Sequence, residues 1–500
     1  MEGSLAVNRV IVIGAGVGGL ATAARLSVKG HQVTVVEASD RVGGKLHTHR
    51  RNGYAFDTGP SLFTLPAVYR DLFLKTGKSL EDSLDLQPVE PAFRYHFADG
   101  SNVLVPGVDP AKCAQAFAQA FGDSAGKEWL EFMQRAADMW RLTREPFLQS
   151  PLRGFKSLLP LANPKDIATI APFTTLRSLA QKTFSDPRMV TIVDRYATYT
   201  GSDPRKAPAV LATVPYIEQL FGVWHIGGGL GSLADALQRR CEERKVDIRL
   251  STSVSEIVTE ANHVTGIRLA TGEFLNADII VSNSDAQLTY KKLLAESTAK
   301  KPKISGDPSL AGFVILLGLN GITPNIAHHN VWFPRNYDAE FDSIFGRNPK
   351  PVADPAIYAC VPNDPLMRPN PDSESWFILI NAPRHDSSGK NGVDWDAPGL
   401  KEAYGQQIID LLAERGTDIR SRITFMEIQT PADLERAVNA PGGSIYGSSS
   451  NGANAAFNRP ANQSPIQGLF LVGGSSHPGG GLPLVGMGAE IVAELIGRDA

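Results

Sequence analysis

The pattern of apolar positions near the start of the chain predicts a strand, a helix and a second strand. Residues 9–13 read RVIVI, a short run rich in β-branched side chains, which is typical of a strand buried on both faces of a parallel sheet. Residues 19–29 carry apolar side chains at helical spacing, and Gly30 is a natural stop. Residues 32–36 read QVTVV and predict the second strand. This order indicates an α/β fold.

Farther along, the same patterns separate a helical stretch from several sheet-forming stretches. Between about residues 65 and 223, apolar residues recur at spacings of three and four, which predicts helices at 109–121, 126–142, 164–170 and 176–184. The later stretches predict strands at 247–250, 254–259, 264–269, 274–281, 313–319, 331–333, 376–380, 423–429 and 469–472. Further helices are expected at 231–240, 399–415 and 484–496.

Three glycines in the pattern G-x-G-x-x-G separate the first strand from the helix. Gly14 allows a sharp turn, Gly16 lets a pyrophosphate approach the backbone, and Gly19 lets the helix pack close to the strand. Glu37 ends the second strand, 18 positions after Gly19, where a carboxylate can accept hydrogen bonds from both ribose hydroxyls. A glycine-rich turn without a ligand is the alternative, but the complete order of elements favours a dinucleotide site.

The residues after Glu37 narrow the choice of dinucleotide. Arg41, the pair Gly43 and Gly44, and then Lys45 give an E-x-x-x-R-x-G-G-K continuation. This continuation resembles the FAD fingerprint of the amine oxidase and carotenoid desaturase superfamily more than an NAD site. The resemblance implies that FAD is the cofactor.

The end of the chain carries a second motif that resembles the same superfamily. Residues 469–474 read LFLVGG and residues 475–483 read SSHPGGGLP, so a buried strand runs into glycines and then into the last helix. Many FAD proteins have Gly-Asp where this chain has Gly473 and Gly474, and the double glycine is similar to that of the carotenoid desaturases. The resemblance covers the whole chain and is to the bacterial-type phytoene desaturases within the flavin amine oxidase superfamily.

This resemblance implies FAD-binding residues in several separate parts of the chain. They are Gly14, Gly16, Gly18, Gly19, Glu37, Arg41, Gly44, Lys45, Gly59, Pro60, Ser61, Val254, Asn283, Gly473, Gly474, Pro483, Leu484 and Val485. The loop Gly59–Ser61 is implied to lie near the flavin, with an ordinary Gly-Pro turn as the alternative. Val254 is implied to contact the adenine through its backbone.

One histidine is a candidate for catalysis. His477 lies in the closing loop, and the alternative is that this loop only shapes the flavin pocket. Glu145 and Asp194 are further candidates for the group that accepts a proton from the substrate.

The resemblance also implies a division into two domains. A Rossmann-like α/β FAD-binding domain is expected from the discontinuous segments 1–75, 223–295 and 440–500. Residues 76–222 and 296–439 are then expected to form an α+β substrate-binding domain with a helical part.

The implied activity is desaturation of a carotenoid of the phytoene type. FAD takes a hydride, a neighbouring proton is lost to a base or water, and the polyene gains a double bond. The implied substrate is an apolar isoprenoid, and oxygen or a quinone reoxidises the flavin. Three alternatives stay open: an amine or protoporphyrinogen oxidase, an isoprenoid saturase or ketolase, and a non-enzymatic isoprenoid-binding protein.

Composition limits the binding partners and the cellular compartment that are expected. The 49 basic and 52 acidic residues leave a net charge of -3, which gives no general reason to bind nucleic acid. Cys113, Cys241 and Cys360 are far apart and match no disulfide or zinc pattern. The adjacent side chains of His328 and His329 are expected to diverge in an extended segment, so no metal is expected. A reducing cytoplasm is the expected compartment.

The segment 147–173 mixes apolar residues with Arg153, Lys156 and Lys165. One interpretation is a peripheral surface that lies on the anionic inner face of the cell membrane, and the other is a helix pair that covers its own core. No bilayer-spanning segment is expected, because the apolar run at 310–319 is only half of the roughly 20 residues that a span needs.

Overall fold

The computed structural model of the chain describes residues 7–154, 163–302, 304 and 306–498. Its strands, in chain order, are β1 (Arg9–Ile13), β2 (Gln32–Val36), β3 (Thr48–Arg51), β4 (Tyr54–Asp57), β5 (Phe63–Thr64), β6 (Leu86–Pro88), β7 (Phe93–His96), β8 (Asn102–Val105), β9 (Val223–Ile226), β10 (Asp247–Arg249), β11 (Val254–Glu260), β12 (His263–Leu269), β13 (Phe274–Asn276), β14 (Ile279–Ser282), β15 (Ala311–Asn320), β16 (His329–Trp332), β17 (Ile357–Cys360), β18 (Ser373–Ala382), β19 (Ile423–Gln429) and β20 (Leu469–Leu471).

The α-helices, in chain order, are α1 (Val17–Val28), α2 (Ala67–Thr76), α3 (Pro110–Phe121), α4 (Asp123–Thr143), α5 (Pro164–Ile170), α6 (Leu176–Thr183), α7 (Pro187–Arg195), α8 (Thr213–Phe221), α9 (Ser232–Glu243), α10 (Ala286–Leu288), α11 (Asp338–Phe345), α12 (Leu400–Glu414), α13 (Pro431–Val438), α14 (Ala455–Asn458) and α15 (Leu482–Arg498). Short 3₁₀ or π turns occupy Arg144–Leu148, Tyr196–Thr200, Ala209–Ala212, Thr289–Leu293, Pro365–Met367, Arg420–Arg422 and Pro441–Gly443.

A five-stranded parallel sheet holds the first glycine motif. Its order is β10-β2-β1-β14-β20, so strands from three separated stretches of the chain meet in one sheet. The bounds of β1 and β2 are those that the hydrophobic pattern predicts. Because the carboxyl ends of parallel strands lie at one edge, this order brings Gly14, Glu37, Asn283 and Gly473 to the same edge of the sheet.

Each face of the parallel sheet is covered by a different layer. On one face, α1 packs against α9 and α15 around a core that includes Leu20, Ala23 and Ala24. On the other face, Ile11 and Ile13 pack against a small antiparallel sheet of order β11-β12-β13. The sheet is therefore buried on both sides, as expected of parallel strands.

The prediction of one strand at 274–281 was wrong, because the chain changes sheets within it. Phe274–Asn276 pairs antiparallel with β12, whereas Ile279–Ser282 pairs parallel with β1. At the crossing point, Asp278 accepts hydrogen bonds from the Arg9 backbone N–H at 2.8 Å and from the Arg9 guanidinium at 2.7 Å. A partner 269 positions away in the chain thus sets the break.

A second, seven-stranded sheet has the order β19-β15-β18-β17-β16-β7-β8. Only the pair β16 and β7 is parallel among its described neighbours. Helix α12 packs on one part of it through Tyr404 and Ile408, which meet Phe313 and Trp376 in a common core. The helices α3, α4, α6, α7 and α8 form a layer against its β7 and β8 end.

Small sheets that the hydrophobic pattern did not predict join these layers. The hairpin of β3 and β4 and the sheet of order β5-β9-β6 flank the loop Gly59–Ser61 on either side. Strand β9 links this region to the glycine-rich turn Gly227–Gly229.

Candidate cofactor and substrate site

A cavity of about 1900 Å³ extends from the carboxyl edge of the parallel sheet to the helical layer and the seven-stranded sheet. All of the predicted cofactor-binding residues except one line it: Gly14, Gly16, Gly18, Glu37, Arg41, Gly44, Lys45, Gly59, Pro60, Ser61, Val254, Asn283, Gly473, Gly474, Pro483, Leu484 and Val485. Gly19 is not part of the wall. A Cβ atom on Gly19 would lie 2.2 Å from the carbonyl oxygen of Gly14, so this glycine allows close packing of helix and strand.

The glycine turn presents backbone groups to the cavity. Gly14 has a φ of +97°, which a side chain would disfavour. Helix α1 begins at Val17 without a side-chain cap, so the N–H groups of its first turn are free to bind an anion. Cβ atoms on Gly16 and Gly18 would each lie 2.7 Å from the side-chain amide of Asn283. This bare turn fits a pyrophosphate group.

The carboxylate of Glu37 is fixed at the tip of β2. It accepts hydrogen bonds from the backbone N–H groups of Ala15 at 2.7 Å and Ser39 at 2.9 Å. Because Glu37 also lines the cavity, its remaining acceptor positions suit the hydroxyl groups of a ribose.

We call the glycine turn of residues 14–19 and the Glu37 carboxylate together the dinucleotide platform. Two cations lie beside it. Arg41 donates from Nη1 to the carbonyl oxygens of Val42 at 3.3 Å and Gly44 at 3.2 Å, which closes its own loop. Lys45 donates from Nζ to the carbonyl oxygens of Ser444 at 3.1 Å and Ile445 at 2.7 Å. Burial lowers the pKa of Lys45 to about 8, and the charge of Asp285 partly opposes this shift.

The lowered pKa of Lys45 predicts that the affinity for FAD depends on pH. A phosphate anion near Lys45 favours its charged form, so FAD should bind more weakly as the pH rises through about 8 and the ammonium loses its proton. We expect the dissociation constant of FAD to increase several-fold between about pH 7 and about pH 9.5. Titration of the apoprotein with FAD measures this change. Lys45→Met should bind FAD more weakly at neutral pH and remove the change, whereas the same rise in Lys45→Met would contradict the assignment.

His477 lies behind the cavity wall rather than in it. Its ring is only 1% exposed, its Nε2 atom is 3.0 Å from the carbonyl oxygen of Ser150, and its edge meets the ring of Phe147 at 5.1 Å. Burial lowers the pKa of His477 to about 4, so the imidazole is neutral at pH 7 and donates from Nε2 to Ser150. This position fits the alternative that the closing loop shapes the pocket.

The other two candidates for the proton acceptor also lie outside the wall. Asp194 is buried and paired with Arg177 at 2.5 Å, and burial raises its pKa to about 7. Neither Asp194 nor Glu145 is among the described residues that line the cavity.

Replacement of His477 by glutamine should therefore reduce stability and spare turnover. We expect a loss of about 1–3 kcal/mol in the free energy of unfolding, because a buried hydrogen bond to Ser150 is disturbed, and a turnover number within about threefold of the wild type. Urea unfolding and steady-state assays of the same preparation test both parts. A turnover loss of about 100-fold at unchanged stability would restore the catalytic assignment.

Two arginines that belong to none of the predicted sites lie in the cavity wall. Arg459 donates to the carbonyl oxygens of Tyr446 and Gly474 at 3.0 Å and of Ser448 at 2.7 Å, and so ties the closing strand to the preceding loop. Burial lowers its pKa to about 10. Arg195 lies at the end of α7, in the helical layer. Arg195 follows Asp194 and Arg459 follows Asn458, both in mixed polar and apolar stretches, so the local sequence does not mark either position.

The expectation that His328 and His329 diverge was wrong. His328 precedes β16 and His329 is its first residue, so strand alternation does not separate them. A ring nitrogen of each lies within 4.8 Å of the other and of Cys360 Sγ. The Nδ1 atom of His329 is also 2.8 Å from the hydroxyl group of Tyr358.

Part of the segment 147–173, for which a membrane surface and a helix pair covering its own core were the two interpretations, lines the cavity. We call the part of the wall with the exposed residues Ile167 and Phe173 the mouth of the cavity. Phe147, Leu148, Ile167, Ile170 and Phe173 all line the cavity, and Phe173 is 90% exposed. Residues 155–162 of this segment lie outside the described residues. Within the described part of the chain, no helix has the length and apolar character that crossing a bilayer requires.

A bare helix N-terminus with a carboxylate at the tip of the next strand defines a dinucleotide-binding α/β protein, and the large adjoining cavity leaves room for a second ligand. Residues 17–314 match the family of flavin containing amine oxidoreductases, and the chain belongs to this family. It is an FAD-dependent oxidoreductase, which confirms the cofactor and the enzyme class expected from the sequence motifs.

Two curated relatives span nearly the whole chain. A 4,4'-diapolycopene oxygenase from Methylomonas sp is 33% identical, with 98% of each chain covered. A 1-hydroxycarotenoid 3,4-desaturase from Flavobacterium sp. is 32% identical, with 98% of this chain and 99% of that protein covered.

Solved structures share the fold at low sequence identity. Cyclohexylamine oxidase from Brevibacterium oxydans has a TM-score of 0.61 and 16% identity over 99% of each chain. Putrescine oxidase bound to putrescine has a TM-score of 0.65 and 14% identity, with 98% of this chain and 99% of that chain covered. At these identities the likeness concerns the fold.

Proposed function

We propose that this FAD-dependent oxidoreductase is a carotenoid desaturase, which removes a hydride and a proton from an isoprenoid polyene. The observation that carries the proposal is one continuous cavity of about 1900 Å³, whose wall joins the dinucleotide platform to an apolar compartment. Small-molecule sites usually measure about 300–1,000 Å³, so this cavity has room for a dinucleotide and a long second ligand. The named activities of the two curated relatives support a carotenoid substrate.

The chemistry of the cavity wall suits a hydrocarbon chain. Its helical and sheet sides share apolar side chains, including Leu65, Trp140, Val210, Leu211, Val214, Ile217, Val314, Val331, Phe377 and Leu379. A polyene has no group for hydrogen bonding along its length, so it binds through burial, at about 0.8 kcal/mol for each CH₂ group. Walls of this kind also exclude water from the reacting bond.

The proposal divides the chain as the motifs imply. Residues 1–75, 223–295 and 440–500 hold the dinucleotide, and residues 76–222 and 296–439 hold the polyene. Bound FAD supplies a two-electron acceptor for a hydride. The residues Glu37, Gly59 and Gly473 would hold the FAD, and the apolar walls would hold the polyene in the adjoining part of the same cavity.

The test is the visible spectrum and mass of pigments from cells that make the protein together with an accumulated carotenoid precursor. Desaturation shifts absorption to longer wavelength and removes two hydrogen atoms per step. Glu37→Arg is the control, because it places a cation where the ribose hydroxyls bind. A product that gains oxygen without losing hydrogen in this way would replace desaturation by oxygenation. No product from acyclic or hydroxylated carotenoids would reject the carotenoid assignment.

We also propose that the mouth of the cavity rests on a membrane, from which an apolar substrate enters. The exposed side chains of Phe173 and Ile167 at this mouth support the proposal.

Phe173→Glu should weaken binding to vesicles with anionic lipids by about 10–100-fold, since burial of one phenylalanine contributes about 1.5–3 kcal/mol. Vesicle co-sedimentation measures this. Leu74→Glu, at a 65% exposed position of α2 away from the cavity, is the matched control. Equal losses in both variants would remove Phe173 from the contact.

A further inference from the structure

A buried guanidinium group interrupts the apolar wall of the cavity. Arg195 is the last residue of α7 and is only 6% exposed, yet it lines the cavity. Aromatic rings surround it: its guanidinium carbon lies 5.0 Å from the ring centres of Phe93 and Tyr199 and 5.6 Å from that of Tyr358. A cation in such surroundings requires hydrogen-bond acceptors or an opposite charge.

The protein supplies only part of what this cation needs. The Nη1 group donates to the hydroxyl oxygens of Tyr199 at 2.9 Å and Tyr95 at 3.4 Å. The carboxylate of Glu218 is reached through Tyr199, whose hydroxyl group donates to it at 3.0 Å. Tyr196 donates to the same carboxylate at 2.6 Å. The carboxylate is therefore satisfied by two phenols, while the cation is not.

Two donor groups of Arg195 have no protein acceptor. Across the described residues, neither Nε nor Nη2 of Arg195 makes a hydrogen bond to a side chain or to the backbone. Since Arg195, Tyr199 and Glu218 all face the cavity, a ligand in the cavity can provide the missing acceptor. A pure hydrocarbon cannot.

We propose that Arg195 binds an oxygen atom at the end of the substrate, so that the polyene accepted by this enzyme carries a terminal hydroxyl or carbonyl group. This inference rests on the proposed function as a carotenoid desaturase. A neutral oxygen is the fitting acceptor, because Glu218 already balances the charge of Arg195 through Tyr199. Hydrogen bonds to charged groups contribute about 1.5–3 kcal/mol, which corresponds to about 10–150-fold in affinity.

The location of Arg195 also orients the substrate. The hydroxyl group of Tyr358, whose ring packs beside the guanidinium, is 2.8 Å from the Ser61 hydroxyl. One aromatic ring thus separates Arg195 from the loop Gly59–Ser61, which the FAD motif places near the flavin. The oxygen-bearing end is therefore the end that reacts, and the new double bond forms close to it.

The test compares two substrates of equal length and conjugation, an acyclic carotene and its terminally hydroxylated counterpart. The wild-type KM should be about 10–150-fold lower for the hydroxylated substrate. Arg195→Met should reduce this ratio to near one, and Arg195→Lys should restore part of it. Binding of both polyenes to the detergent-solubilised holoenzyme, followed by their visible absorption, gives the same ratio without turnover.

Arg188→Met is the matched control. Arg188 belongs to the same helix and also stacks on an aromatic ring, Phe121 at 4.3 Å, but it does not line the cavity. It should leave the substrate ratio unchanged. A wild-type KM ratio near one overturns the inference, and so does an equal loss for both substrates in Arg195→Met. If a variant fails to fold, the wild-type ratio alone decides. Turnover of neither substrate by the wild type would instead reject the proposed function.

Discussion

Replacement of Gly16 by valine is expected to yield a folded protein that no longer retains FAD. Gly16 lies in extended backbone, with φ of -68° and ψ of 170°, so a side chain is compatible with its conformation. Its Cβ atom would lie 2.7 Å from Asn283 Nδ2, and the branched side chain would occupy the space in which a pyrophosphate meets the first turn of α1. Overpacking and lost phosphate contacts together should cost about 3 kcal/mol or more, or at least about 100-fold in affinity.

Flavin absorbance per protein and a fluorescence titration with FAD measure the effect of Gly16→Val. The matched control is Gly389→Asn in an exposed turn, where no atom lies within 4 Å of an added Cβ and the φ of +67° falls in the left-handed region that asparagine adopts more readily than most residues. Normal flavin content in Gly16→Val would exclude this turn as the pyrophosphate site. If Asn283→Ala restores binding in the Gly16→Val background, then the displaced Asn283 side chain, rather than the excluded phosphate, causes the loss.

Local patterns predicted the bounds of several elements, and those of β1, β2, α5 and β19 agree with the prediction. β1 and β2 are runs rich in β-branched residues, and α5 begins at a proline, so the signal lies in residues that are neighbours in the sequence. The glycines and Glu37 were found for the same reason: their positions relative to strand and helix ends carry the signal.

Contacts between residues that are distant in the chain explain where the structure differs from the sequence prediction. The break between β13 and β14 depends on the contact between Asp278 and Arg9, and the local signal is limited to Asn276 and Asp278, two residue types that favour turns. The sheet β5-β9-β6 consists of strands of two to four residues, too short to show a period. The proximity of His328 and His329 depends on where β16 begins, which periodicity places only approximately.

The candidate substrate site was the least predictable part. Arg195 and Glu218 are linked through Tyr199, and their separation of 23 positions has no meaning until the turn after α7 meets α8. His477 shows the reverse case, since a histidine in a glycine-rich loop is a plausible catalytic residue from the sequence, yet the fold turns its ring toward Ser150. The direction of the side chain, rather than the residue type, determines that Arg195 faces the cavity and His477 does not.

The direction of a side chain also decides whether a carboxylate introduced on α8 abolishes activity. Ile217 lines the cavity and packs beside Leu65, Trp140 and Met487, whereas Leu220, three residues later, is 41% exposed and lies outside the cavity wall. Ile217→Asp should lower activity on a polyene by at least about 100-fold, because an unpaired carboxylate in an apolar cavity holds water where the hydrocarbon must lie. Leu220→Asp adds the same charge to the same helix and should remain near the wild type.

The loss in Ile217→Asp should occur at normal flavin content, since α8 contributes no residue to the dinucleotide platform. It should also diminish as the pH falls, because burial raises the pKa of the introduced carboxyl group and its protonated form is less costly in an apolar wall. Turnover, polyene binding and flavin content, measured across a pH series for both variants, separate these effects. Equal activity of Ile217→Asp and Leu220→Asp would mean that the polyene does not pass along α8, and the apolar compartment would then lose its role as the substrate channel.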